Sequence, residues 1–469
     1  MSVIEKLLER EILIDPEKFA NLTEEQTTQL EARVDEMSEE EIELFLNRGT
    51  VEVLRSYTKK PTKRSVQDFV GHFNRRLEQL GDILRQRQEL QSPQSIAHVK
   101  KDQYCAVIGL VWDKRETKNG HIILELEDKT GVTSVLLSKN REEFDEIGKD
   151  IMLDEVIGIT GRAGDDIIFA DNVIIPDVPA SNELKKAPDE AYSVFISDLH
   201  CGNKDFYEKE FLNLIKWLKG EYGGEKHQRG AKKVKYLFIV GDLVEGVGIY
   251  PGQEEDLSII DIKQQYEEFA KYLQMIPEHI QVIMCPGNHE AGRLAEPQFN
   301  LYKDFTEDIF NLENVHFVSN PSWVRIHRTK SFGGLTVLLY HGYSFIYYGN
   351  NVPSIFAQGG VNNPGLIMKY LLQRRHLAPT HTSNLYIPDP VEDPLVIKEV
   401  PDFFISGHTH MVDVENYKGV TMMNCSCWVP ITENQKSYGL TVDAGKVILT
   451  NLQTRQNKVL SFVKEAQQS

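Results

Sequence analysis

The chain has little of what braces secreted and membrane proteins. Its five cysteines are odd in number and include no C-x-x-C pair, which argues against a disulfide framework and sets the expectation of a reducing, intracellular compartment. No stretch approaches the apolar length of a membrane span. The opening residues, MSVIEKLLEREILID, carry acids and no long apolar run, so no signal peptide is expected there. A basic excess is missing as well: 52 Lys and Arg stand against 70 Asp and Glu, a net charge of −18. Such a chain does not coat itself onto nucleic acid by charge alone, although a locally basic face or a basic partner stays open. There is no internal repeat and no low-complexity tract. What is present is a globular composition over 469 residues, enough for two to four domains.

Residues 1–55 read as a helical unit. Thr23 with Gln26, and Ser38 with Glu41, have capping-box spacing. A basic linker and a helix occupy 56–98, where Phe69, Phe73, Leu77, Leu80 and Leu84 fall on one stripe and predict packing on a neighbouring domain. Residues 99–180 read as all-β, with Asn119-Gly120 as a hairpin turn, and five short strands predict a small closed barrel of the OB type. Such barrels either bind single strands or serve as protein-contact modules. From 190 to 455, apolar runs (SVFIS, YLFIV, QVIMC, TVLLY, DFFIS) alternate with helical stretches, and residues 456–469 form a tail. The expected fold is multidomain α+β, with chemistry at the carboxyl ends of strands in the largest domain.

Each of those runs ends in a polar cluster: SDLH, GDLVEG, GNHE, YHG and GHTH. Asp198 and His200 are two apart, and an extended segment would place both on one side. Asp242 follows a glycine that permits a sharp exit from the strand, and its two oxygens could bridge two cations. Asn288 offers a neutral amide oxygen beside His289. His341 precedes Gly342, and His408 and His410 are again two apart. Any one of these alone is an ordinary surface or core feature. Together, at strand ends, they form an oxygen-and-imidazole set without thiolate, which suits Mn²⁺, Fe or Zn better than Ca²⁺, with Mg²⁺ a further possibility. Two such cations can activate water and clamp the oxygens of an in-line phosphoryl displacement.

The set resembles that of the calcineurin-like metallophosphoesterases, whose domain is a sandwich of β-sheets flanked by helices. The resemblance implies one divalent metal on Asp198, His200 and His410, a second on Asn288, His341 and His408, and Asp242 as the bridge. His289 would face the scissile group as general acid. Protein phosphatases of this superfamily carry Asp-Arg where this chain has Glu245 and Gly246; the missing arginine favours a phosphodiester substrate.

Longer stretches are more specific. GDLVEGVGIYPGQEEDLSIIDIKQQYEEFAKYL, CPGNHEAGRLAEPQ, RRHLAP and DPLVIKEVPDFFISGHTH resemble the small-subunit family of archaeal family D DNA polymerases and, in outline, the B-subunits of eukaryotic replicative polymerases. Glu290 stands where that family more often has Asp. The resemblance implies a 3′→5′ exonuclease acting on a primer–template or a single-stranded 3′ end. It also implies a large catalytic subunit as partner and a cytoplasmic, nucleoid-associated location. Within this frame Tyr250 either stacks along a single-strand path or contacts the barrel or the large subunit. Arg293, Arg374 and Arg375 either meet phosphates or are paired in an interface. QNKVLSFV, with Gln456, Val459 and Phe462 at the spacing of a sliding-clamp peptide, is either that peptide or a plain terminal strand. A silent scaffold subunit and a free-standing phosphodiesterase are the rival readings.

Overall fold

The computed structural model describes residues 3–10, 12, 19, 22, 24–60, 62–90 and 92–464. The apolar runs become the strands of two six-stranded sheets. One runs in the order Val51–Ser56, Ser322–Ile326, Leu335–Leu339, Phe403–Ser406, Val420–Asn424, Asp413–Tyr417. The other runs Val315–Phe317, Gln281–Cys285, Val234–Val240, Tyr192–Ile196, Lys446–Asn451, Asn457–Ser461. The central runs are apolar at consecutive positions because both of their faces are covered. Phe195, Phe238, Val337 and Phe403 meet between the sheets. Val194, Ile196 and Leu237 point the other way, under the helices Glu208–Leu218 and Ile262–Gln274. Leu338, Phe404 and Met422 pack beneath Phe345–Asn351 and Pro364–Arg374. The result is helix, sheet, sheet, helix, with the paired sheets at the centre.

Both outermost strands depart from the expected domain limits. Residues 51–56, placed by sequence in a helical unit and the start of a linker, pair antiparallel with Ser322–Ile326 at the edge of the first sheet. Asn457–Ser461, inside the expected tail, pairs with Lys446–Asn451 at the edge of the second, and Phe462 packs on Trp217 and Trp428. Of the two readings of Gln456, Val459 and Phe462, the structure has the terminal strand, with Phe462 half-buried.

Ahead of the sandwich stands a closed five-stranded barrel in the order Tyr104–Glu116, Ile122–Asp128, Gly131–Leu137, Ile167–Ile174, Val156–Ala163. The helix Glu142–Asp150, which the sequence reading did not pick out, lies between the third and fourth barrel strands in chain order and plugs the barrel with Phe144. The helix Val66–Leu84 lies where the stripe predicts, with Leu80 and Leu84 buried against Ile108, Leu110 and Val156 of the barrel. At the N-terminus, Val3, Leu7, Leu30, Val34, Ile42 and Phe45 form a small core of their own. Ser38 and Glu41 make the expected capping box, whereas Thr23 lies outside the described residues. No helix among the described residues is long and apolar enough to cross a membrane.

Candidate metal centre and active site

All five polar clusters lie at the carboxyl ends of strands that each run parallel to at least one neighbour, so the two sheets deliver them to one rim. There the backbone is unusual. Asp198, His200, Asp242, His408 and His410 all have positive φ, between 49° and 69°. Residues with a Cβ rarely adopt this conformation, and it persists where surrounding contacts enforce it, above all at functional sites. The extended geometry expected for the two D-x-H and H-x-H pairs is thus replaced by left-handed turns at alternate residues, which still converge the side chains. Gly287 and Gly407 floor the site: a Cβ on Gly287 would lie 2.8 Å from His341 Nε2, and one on Gly407 would lie 2.5 Å from Asp198 Oδ2.

The side chains form overlapping groups. Asp198, His200 and His410 make one, and Asp242, His341 and His408 another, each with its ligand atoms within 4.8 Å of one another. His200 Nε2 and His410 Nε2 lie 3.2 Å apart, and Asp198 Oδ1 is 3.4 Å from the latter. His341 donates from Nδ1 to the Val240 carbonyl at 2.8 Å. That bond turns its Nε2 toward Asp242 Oδ2 and Asn288 Oδ1, each at 3.2 Å. His408 Nε2 is buried with no partner. Lone-pair atoms therefore face one another in the interior, an arrangement that is unfavourable unless positive charge sits among them. No lysine or arginine pairs with Asp198 or Asp242 among the described residues. Burial opposes ionisation of Asp242, but His341 and His289 beside it outweigh burial and hold the carboxyl well below its usual range. Burial likewise opposes the charge on His341, yet Asp242 and Asp198 push it up to about 10. The donor set fits divalent cations.

His289 is held differently from the ligands. Its backbone N–H donates to Asp242 Oδ1 at 2.9 Å, and its Nδ1 donates to the Glu245 carbonyl at 2.6 Å. Nε2 is then the nitrogen left to carry or release a proton at the rim. Its ring stands edge-on to His200 at 4.7 Å between centroids.

Two acids matter more than sequence reasoning gave them. Glu245 is buried, with Oε2 3.0 Å from His200 Nδ1, so it orients that imidazole. Burial works against its charge, but His200 brings its carboxyl down to about 2. Glu290 accepts from the backbone N–H groups of Leu243 at 2.6 Å and Asp242 at 3.2 Å, and also from Gly287. It ties the Asp242 loop to the Asn288 loop. Burial, then the nearby charge of Asp242, raise it to about 7. The signal for Glu245 was its place in GDLVEG, where the phosphatase pattern also has an acid.

The residues expected to touch substrate fare less well. The Tyr250 hydroxyl bonds to Glu245 at 3.1 Å and Asp256 at 2.9 Å, and Gln253 donates to Glu245 at 3.0 Å. The aromatic loop thus braces the acid behind His200. Arg293 stacks over Phe299 at 4.0 Å and donates to the Pro297 carbonyl at 3.1 Å, pinning its own loop. Arg374 and Arg375 are corrected outright: they are 6% and 3% exposed. Arg374 pairs with Glu155 of the barrel at 3.2 Å, and Arg375 donates to the carbonyls of Ile397 at 2.8 Å and Lys398 at 2.6 Å. Their partners lie far away in sequence, so burial was invisible there.

Comparison with known proteins agrees with this geometry. The calcineurin-like phosphoesterase profile matches residues 193–412. A protein of Methanothermobacter thermautotrophicus named DNA polymerase II small subunit is 37% identical over 399 residues, covering 85% of this chain and 79% of its own. One of the same name from Archaeoglobus fulgidus is 38% identical over 450 residues, covering 95% and 86%. A third, from Pyrococcus abyssi, is 39% identical over 404 residues, or 85% of this chain but only 63% of the relative, so the chain spans less than two thirds of that protein. With its five strand-end clusters inside a calcineurin-like phosphoesterase domain, the chain belongs to the family of archaeal DNA polymerase II small subunits.

Proposed function

We propose that this chain is the small subunit of a two-subunit replicative DNA polymerase and carries a 3′→5′ exonuclease that removes mispaired nucleotides from the primer end. The reading is carried by one contrast within the site: seven ligand-type side chains converge as acceptors, while His289, beside them, keeps Nδ1 tied and Nε2 at the rim. Divalent cations, Mn²⁺ by preference, would supply an activated water and charge neutralisation at the phosphoryl oxygens. The chain's own residues do the rest. Asp198, His200 and His410 would hold one cation, Asn288, His341 and His408 the other, and Asp242 would serve both. Protonated at Nε2, His289 gives its proton to the departing sugar oxygen, and general acid assistance of this kind contributes about 10²–10⁴-fold. Glu245 and Glu290 keep His200 and the two loops in place. Mispaired ends cost less to unpair, which supplies selectivity before the chemistry.

Synthesis belongs to a large partner subunit. The five-stranded barrel, with parallel third and fifth strands in chain order and a helix after the third, is of OB type in this reading. Its Glu155–Arg374 pair fixes it to the phosphoesterase domain, and the Leu80–Val156 packing fixes it to the helix Val66–Leu84.

The test is a 5′-labelled primer with a 3′ mismatch on a template, incubated with the full chain and Mn²⁺ beside a His289→Ala variant. Stepwise shortening by the wild type, slowed at least a hundredfold in the variant, is expected. Equal shortening by both would remove the chemistry from this site. No shortening by either, with the large subunit also present, would make the chain a silent scaffold.

A further inference from the structure

Beside the metal centre lies a groove of about 830 Å³ that the proposed chemistry does not use. One wall is Tyr343 with Tyr347 of the helix Phe345–Asn351. The other is the segment from His381 to Tyr386, backed by Phe69. Tyr343 ties the groove to the site, its ring 5.5 Å from that of His408. On the far wall His381 and Tyr386 stand edge to face at 5.4 Å, and Phe69 lies 6.1 Å from Tyr386. Phe69, Tyr343, Tyr347 and Tyr386 are only partly covered, and His381 is exposed, so aromatic faces are presented to solvent. At the base is Asn384, 8% exposed, with its Nδ2 donating to Glu296 and its Oδ1 buried without a partner. Lys60 and Lys63 are exposed in the connector that leads into the helix carrying Phe69, a local basic stretch in a chain of net charge −18, where Lys59 pairs with Asp389.

We propose that this groove holds the unpaired nucleotides at the 3′ end of single-stranded DNA, stacking bases on Tyr343 and Tyr347 while the terminal phosphodiester reaches the metal centre. Every base has a π-face, so aromatic platforms bind single strands with little regard to sequence, and a basic flank follows the backbone. The size fits. The groove falls within the roughly 300–1,000 Å³ of small-ligand sites, enough for a nucleotide or two. A stable protein partner covers about 800 Å² on each side, a larger and flatter footprint than this. The helix Phe345–Asn351 follows directly from His341, so one short segment of chain supplies both a metal ligand and the platform.

This inference rests on the reading of the site as a DNA nuclease, and the test separates the two. The full chain, in EDTA so that no hydrolysis occurs, is titrated against a short oligothymidylate carrying 2-aminopurine next to its 3′ end, with anisotropy for affinity and fluorescence intensity for stacking. Tyr347→Ala is expected to weaken binding about tenfold or more and to relieve the quenching, whereas Tyr347→Phe, which keeps the ring, retains both. Unchanged affinity and quenching in Tyr347→Ala, or no binding by the wild type, would overturn the groove assignment. So would a Tyr347→Ala chain that binds DNA normally but fails to associate with the large subunit, because the groove would then belong to a protein. If the wild type shortens the mismatched primer while Tyr347→Ala binds like wild type, the nuclease stands and the groove falls. If binding behaves as expected but no primer is shortened, the nuclease reading alone falls.

Discussion

Two buried clusters in this molecule combine carboxylates with histidines, and they are solved in opposite ways. At the strand ends, Asp198 and Asp242 face His200, His341, His408 and His410, with nitrogen opposite nitrogen and no permanent cation. Behind the far wall of the groove, Asp393 is fully buried among His72, His376 and Arg76. Here the guanidinium supplies the charge: Arg76 Nε is 2.7 Å from Asp393 Oδ2, and His376 Nε2 and His72 Nε2 lie 2.8 and 3.2 Å away. The remaining ring nitrogens accept from backbone N–H groups, His376 Nδ1 from Ala378 at 3.0 Å and His72 Nδ1 from Asp389 at 3.2 Å. Burial pushes His376 down to about 4, and Arg76 reinforces the shift, so it stays neutral. The difference teaches how to tell a metal site from a structural one. The same residue types bind nothing when an arginine closes the network, and ask for cations when none does.

The comparison can be broken at either end. The largest effect is expected at Asp242, the ligand proposed to serve both cations. Asp242→Asn should lower Mn²⁺-dependent removal of a 3′ nucleotide by on the order of 10³-fold, several kcal/mol of transition-state stabilisation. The same change should move the denaturation midpoint of the metal-free chain little, since the amide keeps the shape and can still accept from the His289 N–H. In the structural cluster the expectation reverses. Arg76→Met should leave turnover of a bound primer intact and destabilise the chain by about 3–5 kcal/mol, the usual effect of stranding a buried charge. Its signature is a pH response. Burial holds both histidines down, and Arg76 adds to it, so their neutrality costs stability as the pH falls. Without Arg76 that loss on acidification is smaller, so chemical denaturation should find the variant's midpoint closer to wild type at pH 5.5 than at pH 7.5.

A smaller effect sharpens the boundary between the two clusters. Glu296 sits beneath the rim, fully buried, accepting from Tyr340 at 3.1 Å and Asn320 at 3.3 Å. Burial raises it to about 8. Between the unfolded value near 4.5 and the folded one, the native state holds a proton that the unfolded state has released. Stability therefore falls as pH rises across that window. Glu296→Gln should flatten that decline, measured as the difference between variant and wild-type thermal midpoints from pH 5 to 8; parallel profiles would contradict it.

Sequence reading reached the site more fully than the fold around it. The five clusters were legible because each follows an apolar run, and strand ends are where an α/β domain collects ligands. The hairpin at Asn119-Gly120 and the capping box at Ser38 were legible because their signals are local. The edge strand Val51–Ser56 was not, since its pairing partner is Ser322–Ile326 and nothing nearby announces it. Arg374 and Arg375 looked like phosphate contacts because a pair of arginines reads as surface until Glu155 is known to face it. Arg76 and Asp393 were missed for the same reason. Their bond spans 317 residues, and neither residue stands in a motif. The left-handed backbone of the ligands was also hidden, because Asp and His at these positions carry no signal of it.

The most direct measurement is a count of cations. Equilibrium dialysis of the full chain against Mn²⁺, followed by elemental analysis, should find two ions per chain in the wild type and in Asp393→Asn, and a loss of bound metal in Asp242→Asn. Fewer than one ion in the wild type, or undiminished binding in Asp242→Asn, would contradict the account.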